Sequence, residues 1–460
     1  MQKKVQNLKF IFEPRNIAII GASEKPGKLG TIILKNLIDG SFAGKVYPVN
    51  PKHNKIFKQK CFSDVTKIKD RVDCAIIVTP AETVPAILNQ CAKKKIPGVV
   101  LLTSGFAEAG RNDLEEEVRK IANKNNIAII GANCLGVYNP YNRVDSVFLP
   151  MYKLERPRPG DISFITQSGG VGSTIIDTAA HYGVGIAKFV SYGNATNIDE
   201  SDLLEYLEQD KKTKAIIAYI EGVKDGRRFF ETIKRVNKKK PVIILKAGKH
   251  SKSAKAALSH TGNIAGSAMA YTAAFRQAKV IEAQNLEELF DFVRMFSQPL
   301  PNGNKIAIVT NGGGPGILAT DNAEEIGLPL ADFEEKSKLE LKKILPDYGS
   351  VNNPLDLIAE ADSSAYEKSI EILMQDKNVD AICIIMLPQT PAIDERILKV
   401  LIKASDDRRK PIAVVCIGGN YADSFRRYLE GSGVPAYAYP LQAIKAISKL
   451  AEYAKFRKRT

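Results

Sequence analysis

The stretch Ser163-Phe164-Ile165-Thr166-Gln167-Ser168-Gly169-Gly170-Val171-Gly172 decides the fold class. It reads as an apolar strand that ends on a threonine and a polar amide, turns through glycines and enters a helix. Such a turn exposes backbone N–H groups and the positive end of the helix dipole, so it suits a phosphate. The pattern returns at Ala307-Ile308-Val309-Thr310-Asn311-Gly312-Gly313-Gly314-Pro315-Gly316. A third glycine turn, Gly21-Ala22-Ser23-Glu24-Lys25-Pro26-Gly27-Lys28-Leu29-Gly30, follows an apolar run at 17–20.

Outward from these turns, the chain repeats one theme: a short β-branched run, a turn, then a helical run. Strands are expected at 17–20, 46–49, 75–78, 99–102, 127–130, 162–165, 216–220, 242–245, 306–309, 381–385 and 412–415. Continuous apolar runs of this kind are buried on both faces, as in parallel sheets covered by helices. Helical spacing is clear at 82–95, 113–123, 199–209, 286–296 and 366–375. Proline-rich breaks at 149–160 and 298–303 divide the series. The expectation is three consecutive doubly wound α/β domains at about 1–150, 151–300 and 301–460.

Composition narrows the function. No apolar run reaches membrane-spanning length, and the amino terminus, with Lys3, Lys4 and Lys9, lacks the apolar core of a secretory signal. The six cysteines (Cys61, Cys74, Cys91, Cys134, Cys383, Cys416) show no paired short spacing, which fits reduced thiols in a cytoplasmic protein. A formal charge of +15 invites a nucleic-acid reading, but the lysines are dispersed and no nucleic-acid-binding motif is present. Neither nucleic acid nor membrane is therefore an expected partner. A polyanionic small ligand, an acidic partner chain or a lysine-rich proteome explains the charge more cheaply.

The first turn resembles a dinucleotide fingerprint but departs from its spacing. Where an NAD-binding unit presents a carboxylate to the ribose hydroxyls, this chain offers Asn50, Lys52, His53 and Lys55. Amide and cation suit a phosphorylated ribose, as in NADP or coenzyme A. The candidate contacts are Gly21, Ala22, Ser23, Lys28, Leu29, Gly30, Asn50 and Lys52, with Thr79, Pro80, Ser104, Gly105, Asn133 and Cys134 from later strand-end loops. The other two turns lack the lysine and hydroxyl of a nucleotide P-loop and read as plain phosphate cradles: Gln167, Ser168, Gly169 and Gly170, then Asn311, Gly312, Gly313 and Gly314. Two helix N-termini meeting at one phosphate would stabilise a phosphohistidine.

Of four histidines, His260 stands apart, in the small-residue stretch Ala256-Ala257-Leu258-Ser259-His260-Thr261-Gly262-Asn263. An imidazole there can serve as base, metal ligand or phosphoryl-carrying nucleophile. Glu221, in Tyr219-Ile220-Glu221-Gly222-Val223, ends a strand at the rim where doubly wound sheets place their chemistry. A carboxylate there can fix the tautomer of an imidazole. His181 reads as a packed helix residue, and His53 and His250 sit among lysines.

Together these pieces resemble the α subunit of the nucleoside-diphosphate-forming acyl-CoA synthetases, specifically the ADP-forming acetate–CoA ligases, and more distantly succinyl-CoA synthetase. The resemblance covers nearly the whole chain. It implies a Rossmann-like CoA-binding domain followed by two flavodoxin-like domains. It makes residues 21–30 and 131–136 CoA loops, 168–170 and 311–316 the phosphate-facing helix starts, His260 the phosphorylated residue and Glu221 its supporting carboxylate. The implied reaction is a relay. Phosphate converts acyl-CoA to an acyl phosphate, His260 takes the phosphoryl group, and ADP on a partner receives it. No segment resembles an ATP-grasp fold and no metal site is apparent, so the resemblance puts the nucleotide and its Mg²⁺ on a β subunit, in an α2β2 heterotetramer. Two rivals share the fold: a non-catalytic CoA-binding regulatory protein and an NADP-linked redox protein.

Overall fold

The structure is a computed structural model that describes residues 2–249, 268–346 and 349–459. His260 and the stretch around it lie outside the described residues. The described residues form an α/β structure with three main sheets. It divides into two compact units, one formed by residues 1–181 and 185–282, the other by 182–184 and 283–460.

The first sheet has five parallel strands in the order Lys45–Val49, Asn16–Ile20, Cys74–Ile77, Gly98–Leu101, Ala128–Gly131. The chain winds one way to its second strand and the other way to the rest. This places a topological switch point between Asn16–Ile20 and Cys74–Ile77, where such sheets bind ligands beyond their carboxyl ends. Most of the strand residues are buried, chiefly Ile, Val, Leu and Ala, and the start of the edge strand Lys45–Val49 is open.

The second sheet repeats this winding with Pro159–Thr166 at its centre, flanked by Ile186–Ser191 on one side and by Ala215–Ile220 and Val242–Lys246 on the other. Two antiparallel strands, Gly136–Asn139 and Val144–Asp145, extend it beyond Ile186–Ser191. These strands precede the first proline-rich break in sequence, and they tie the first two sheets into one unit. Buried polar links reinforce the tie. The Asn197 carboxamide accepts the Ile129 N–H at 2.9 Å, and the Thr196 hydroxyl accepts the Ala132 N–H at 2.9 Å.

The third sheet, in the other unit, orders its parallel strands Leu355–Asp356, Ile306–Thr310, Ala381–Met386, Ile412–Cys416, Ala436–Tyr437. It is the same winding again. Eleven expected strands all fall on observed ones, within one to three residues at either end. Ile186–Ser191 escaped the sequence reading because Lys188 interrupts its apolar run. That lysine is 1% exposed, and its charge is met by Asp210 at 2.8 Å.

Candidate active site

In the first sheet every expected CoA loop leaves the same, carboxyl-terminal edge: residues 21–23, 50–52, 79–80, 104–105 and 133–134 each follow one of the five strands. At the switch point the helix Leu29–Asp39 is drawn against the first turn. A Cβ on Gly30 would lie 2.3 Å from the Gly21 carbonyl oxygen, so only glycine permits that approach. The Asn50 carboxamide braces the turn from the neighbouring strand, donating to the Ala22 carbonyl at 2.8 Å and accepting from the Lys52 N–H at 2.9 Å. Thr31, not singled out in the sequence, donates to the carbonyls of Ser23 at 2.9 Å and Lys25 at 2.7 Å. Lys28, Leu29, Lys52, Pro80 and Ser104 are exposed; Gly21, Ser23, Thr79, Gly105 and Asn133 are half-buried. Cys134 is turned inward, 3% exposed, and burial pushes its thiol up to about 12. Close glycine backbone and a rim of cations fit a pyrophosphate-bearing ligand with a phosphorylated ribose.

The second and third sheets have switch points built alike. In each, the strand that begins the parallel winding ends on a threonine whose hydroxyl bridges the turn. Thr166 donates to the Ser168 carbonyl at 3.0 Å, and Thr310 to the Gly312 carbonyl at 2.9 Å. The following amide crosses the switch point to the neighbouring strand end. The Gln167 carbonyl oxygen accepts the N–H groups of Glu221 and Gly222, and its amide donates to the Gly222 carbonyl at 2.8 Å. The Asn311 carbonyl oxygen accepts the Leu387 N–H at 2.9 Å, and its amide donates to the Thr390 hydroxyl at 3.0 Å. Both amides are buried, at 4% and 1% exposure. Their side chains therefore hold the turns.

The helices that follow, Gly169–His181 and Gly313–Ile326, each begin with two glycines. Their next amide is removed from service in different ways. The Ser168 hydroxyl accepts the Val171 N–H at 3.2 Å, while the third residue of the other helix is Pro315, which has no N–H. The first-turn amides of Gly169 and Gly170, and of Gly313 and Gly314, lack intrahelical partners and suit an anion. Each helix also packs a fourth-position glycine on its threonine. A Cβ would come within 3.1 Å of the Thr166 methyl at Gly172 and 3.0 Å of the Thr310 methyl at Gly316.

Glu221 is half-buried at the end of Ala215–Ile220, beside the Gly169 helix start through Gln167. The Tyr219 hydroxyl lies against its carboxylate, and burial with that charge pushes the phenol up to about 12. Two further residues gather here that the sequence reading passed over. Lys246, 3% exposed at the end of the adjacent strand, donates to the Glu221 carbonyl at 2.7 Å and also to the Ala247 carbonyl. Burial pushes its ammonium down to about 8, against the opposing pull of Glu221. Tyr271 accepts the Val223 N–H at 3.1 Å and presents its ring face 4.5 Å from the Lys246 ammonium. A strand-end lysine reads in sequence as a solvated charge, and Tyr271 lies 48 positions from Val223.

Comparison with known proteins agrees with this construction. Residues 15–140 match a CoA binding domain, 159–296 a succinyl-CoA ligase like flavodoxin domain and 306–458 a ligase-CoA domain. The fold and these matches thus define a CoA ligase of the succinyl-CoA ligase type. The chain is 41% identical over 458 residues to the alpha subunit of the ADP-forming acetate–CoA ligase II of Pyrococcus furiosus, covering 97% of this chain and 98% of that one. The ADP-forming acetate–CoA ligase of Methanocaldococcus jannaschii is 42% identical over 452 residues, which are 97% of this chain but 63% of that longer protein. Among solved structures, the acetyl-coenzyme A synthetase 1 of Ca. Korarchaeum cryptofilum in complex with phosphate and ADP is 33% identical. It has a TM-score of 0.93 over 98% of this chain and 97% of that one. The chain belongs to the family of ADP-forming acetate–CoA ligase alpha subunits. Membership sets aside the regulatory and NADP-linked redox readings. Among the described residues no helix is long and apolar enough to cross a membrane.

Proposed function

We propose that this chain is the CoA-binding, phosphoryl-carrying α subunit that catalyses acyl-CoA + ADP + phosphate = carboxylic acid + ATP + CoA. The observation that carries the reading is the second switch point, where the Glu221 carboxylate, the Gly169–Gly170 amides and the end of Val242–Lys246 share one sheet edge. His260 follows that last strand in sequence.

Phosphate oxygen attacks the thioester carbonyl, the C–S bond breaks, and the thiolate leaves and takes a proton. The product is an acyl phosphate. An imidazole nitrogen of His260 then attacks phosphorus, the P–O bond to the acyl group breaks, and the carboxylate departs. Glu221 accepts the hydrogen bond of the other ring nitrogen and offsets the cationic imidazole. First-turn amides at Gly169 and Gly170 neutralise the transferring group, and those at Gly313 and Gly314 offer phosphate a cradle of the same kind. ADP finally attacks the phosphohistidine and regenerates His260. We place ADP and its Mg²⁺ on an ATP-grasp β subunit, in an α2β2 assembly, because the nucleotide needs a site that these three domains do not resemble. The relatives named as alpha subunits, and the longer single-chain relative of which this chain is 63%, support that division. The six buried free cysteines suit a reducing cytoplasm.

The test is reconstitution. The purified chain alone should bind CoA yet make no ATP from ADP, phosphate and acetyl-CoA, and a β subunit should restore turnover. ATP formation by the chain alone would contradict the division of labour.

A further inference from the structure

Lys246 and Tyr271 lie on opposite sides of residues 250–267, the segment that contains His260. Lys246 ends the strand Val242–Lys246 before it, and Tyr271 belongs to the helix Ala268–Ala278 after it. Both reach back to the same three residues. Lys246 donates to the main-chain carbonyl of Glu221 at 2.7 Å, and Tyr271 accepts the main-chain N–H of Val223 at 3.1 Å. They also meet each other, ammonium over ring at 4.5 Å. The second bond of Lys246, to the Ala247 carbonyl, fastens the first residue beyond the strand. Burying a lysine and a tyrosine at 3% and 8% exposure costs stability unless their polar ends are engaged, and here the Lys246 ammonium and the Tyr271 hydroxyl engage backbone at this junction.

From this we infer that Lys246 and Tyr271 are positioning residues for phosphoryl transfer: they clamp the Glu221–Val223 turn to both roots of the His260 segment. The inference rests on the proposed roles of Glu221 and His260. The clamp works through backbone atoms, so it fixes where the Glu221 carboxylate starts from. It does so without touching the transferring phosphoryl group. Gln167 holds the same turn from the opposite side, through the N–H groups of Glu221 and Gly222. The turn is thus held from three elements, of which two border the His260 segment. Charged and titratable groups around the clamp are the Glu221 carboxylate, Lys249, which pairs with Glu282 at 2.7 Å, Tyr219, Glu200 and Tyr192.

The experiment uses the full chain with its β subunit, labelled phosphate and acetyl-CoA, and three variants. Lys246→Met removes the ammonium at similar length; Lys246→Arg keeps a cation; Tyr271→Phe keeps the ring and removes the acceptor. Misplacement of a reacting group by about 1 Å commonly costs about 10²-fold in rate. Label on His260 should therefore appear about 10²-fold more slowly in Lys246→Met and about 10-fold more slowly in Tyr271→Phe. CoA affinity should hold within about twofold, and Lys246→Arg should recover part of the loss. If wild-type protein is labelled on His260 and Lys246→Met labels as fast, the clamp is wrong and the proposed function stands. Equal losses of labelling and CoA affinity, tracking a lowered melting temperature, would reduce both residues to structural supports and overturn the clamp. Should Lys246→Met fail to fold, Tyr271→Phe decides by the same readings. Wild-type label on a residue other than His260 would overturn both readings together.

Discussion

The carboxyl edges of the second and third sheets are one device made twice, with different chemistry. Both have a threonine that bridges the turn, a buried amide that reaches across the switch point, and a helix that opens on two glycines. They part at the residue the amide holds. In the second sheet it is Glu221, with Lys246 and Tyr271 behind it; in the third it is Leu387, with the hydroxyl of Thr390 beside it. The shared frame leaves first-turn amides without intrahelical partners. On the proposed function, the difference assigns reactivity to the second edge and leaves the third to hold phosphate.

Matched substitutions put that contrast at risk. Glu221→Gln should keep the fold and CoA binding and slow phosphohistidine formation by about 10²–10⁴-fold, as loss of a charge-stabilising group does. Leu387→Met, at the counterpart position, should cost under about 1.5 kcal/mol of stability and leave phosphorylation within threefold, a roughly volume-conserving change. Comparable losses in the two variants, read by rapid-quench labelling, would erase the distinction between the edges.

The buried amides come next. Gln167→Leu and Asn311→Leu each strand backbone groups that cost about 1–3 kcal/mol when buried without a partner. Both variants should melt lower. Only Gln167→Leu should also slow labelling of His260 by more than the melting change explains, because the Glu221 turn depends on it. Equal kinetic penalties would show that the amides serve stability alone.

Much of this architecture was legible in the sequence because it rests on local rules. Buried β-branched runs declared the strands, and glycine after a strand-end polar residue declared the turns. What escaped depends on distant partners. Lys188 disguised the strand Ile186–Ser191 until Asp210 supplied its counter-charge. Gln167 and Asn311 looked like ligand contacts because an amide beside glycines reads that way, whereas each is spent on a neighbouring strand. The two-residue edge strands Leu355–Asp356 and Ala436–Tyr437 carry too little pattern to be seen. Lys246 and Tyr271 matter only through residues 25 and 48 positions away.

A pH difference sharpens the contrast further. Lys246 has its ammonium pushed down to about 8 by burial, with Glu221 and Lys249 as its charged neighbours and the Tyr271 ring beside it. The unfolded chain keeps that proton to higher pH. From about pH 8 up to the ordinary lysine value of 10.5, the unfolded state holds more protons, and this group makes folding more favourable as pH rises. Relative to Lys246→Met, the wild-type melting temperature should climb across that window. Parallel melting curves from pH 8 to 10 would show that the lysine is not perturbed.

The smallest effect separates the two helix starts. Ser168→Ala removes a cap and should cost about 1 kcal/mol of stability. Pro315→Ala, where no cap exists, should change the melting temperature less. A larger loss at Pro315, in thermal melts of both variants, would reverse this reading of the first turns.

The most direct measurement is the site of the label. The reconstituted enzyme is mixed with radiolabelled phosphate and acetyl-CoA without ADP, then digested and mapped. The account expects a base-stable, acid-labile label on His260 alone, discharged to ATP when ADP is added and absent in His260→Ala. Label on any other residue, or its persistence in His260→Ala, would contradict it.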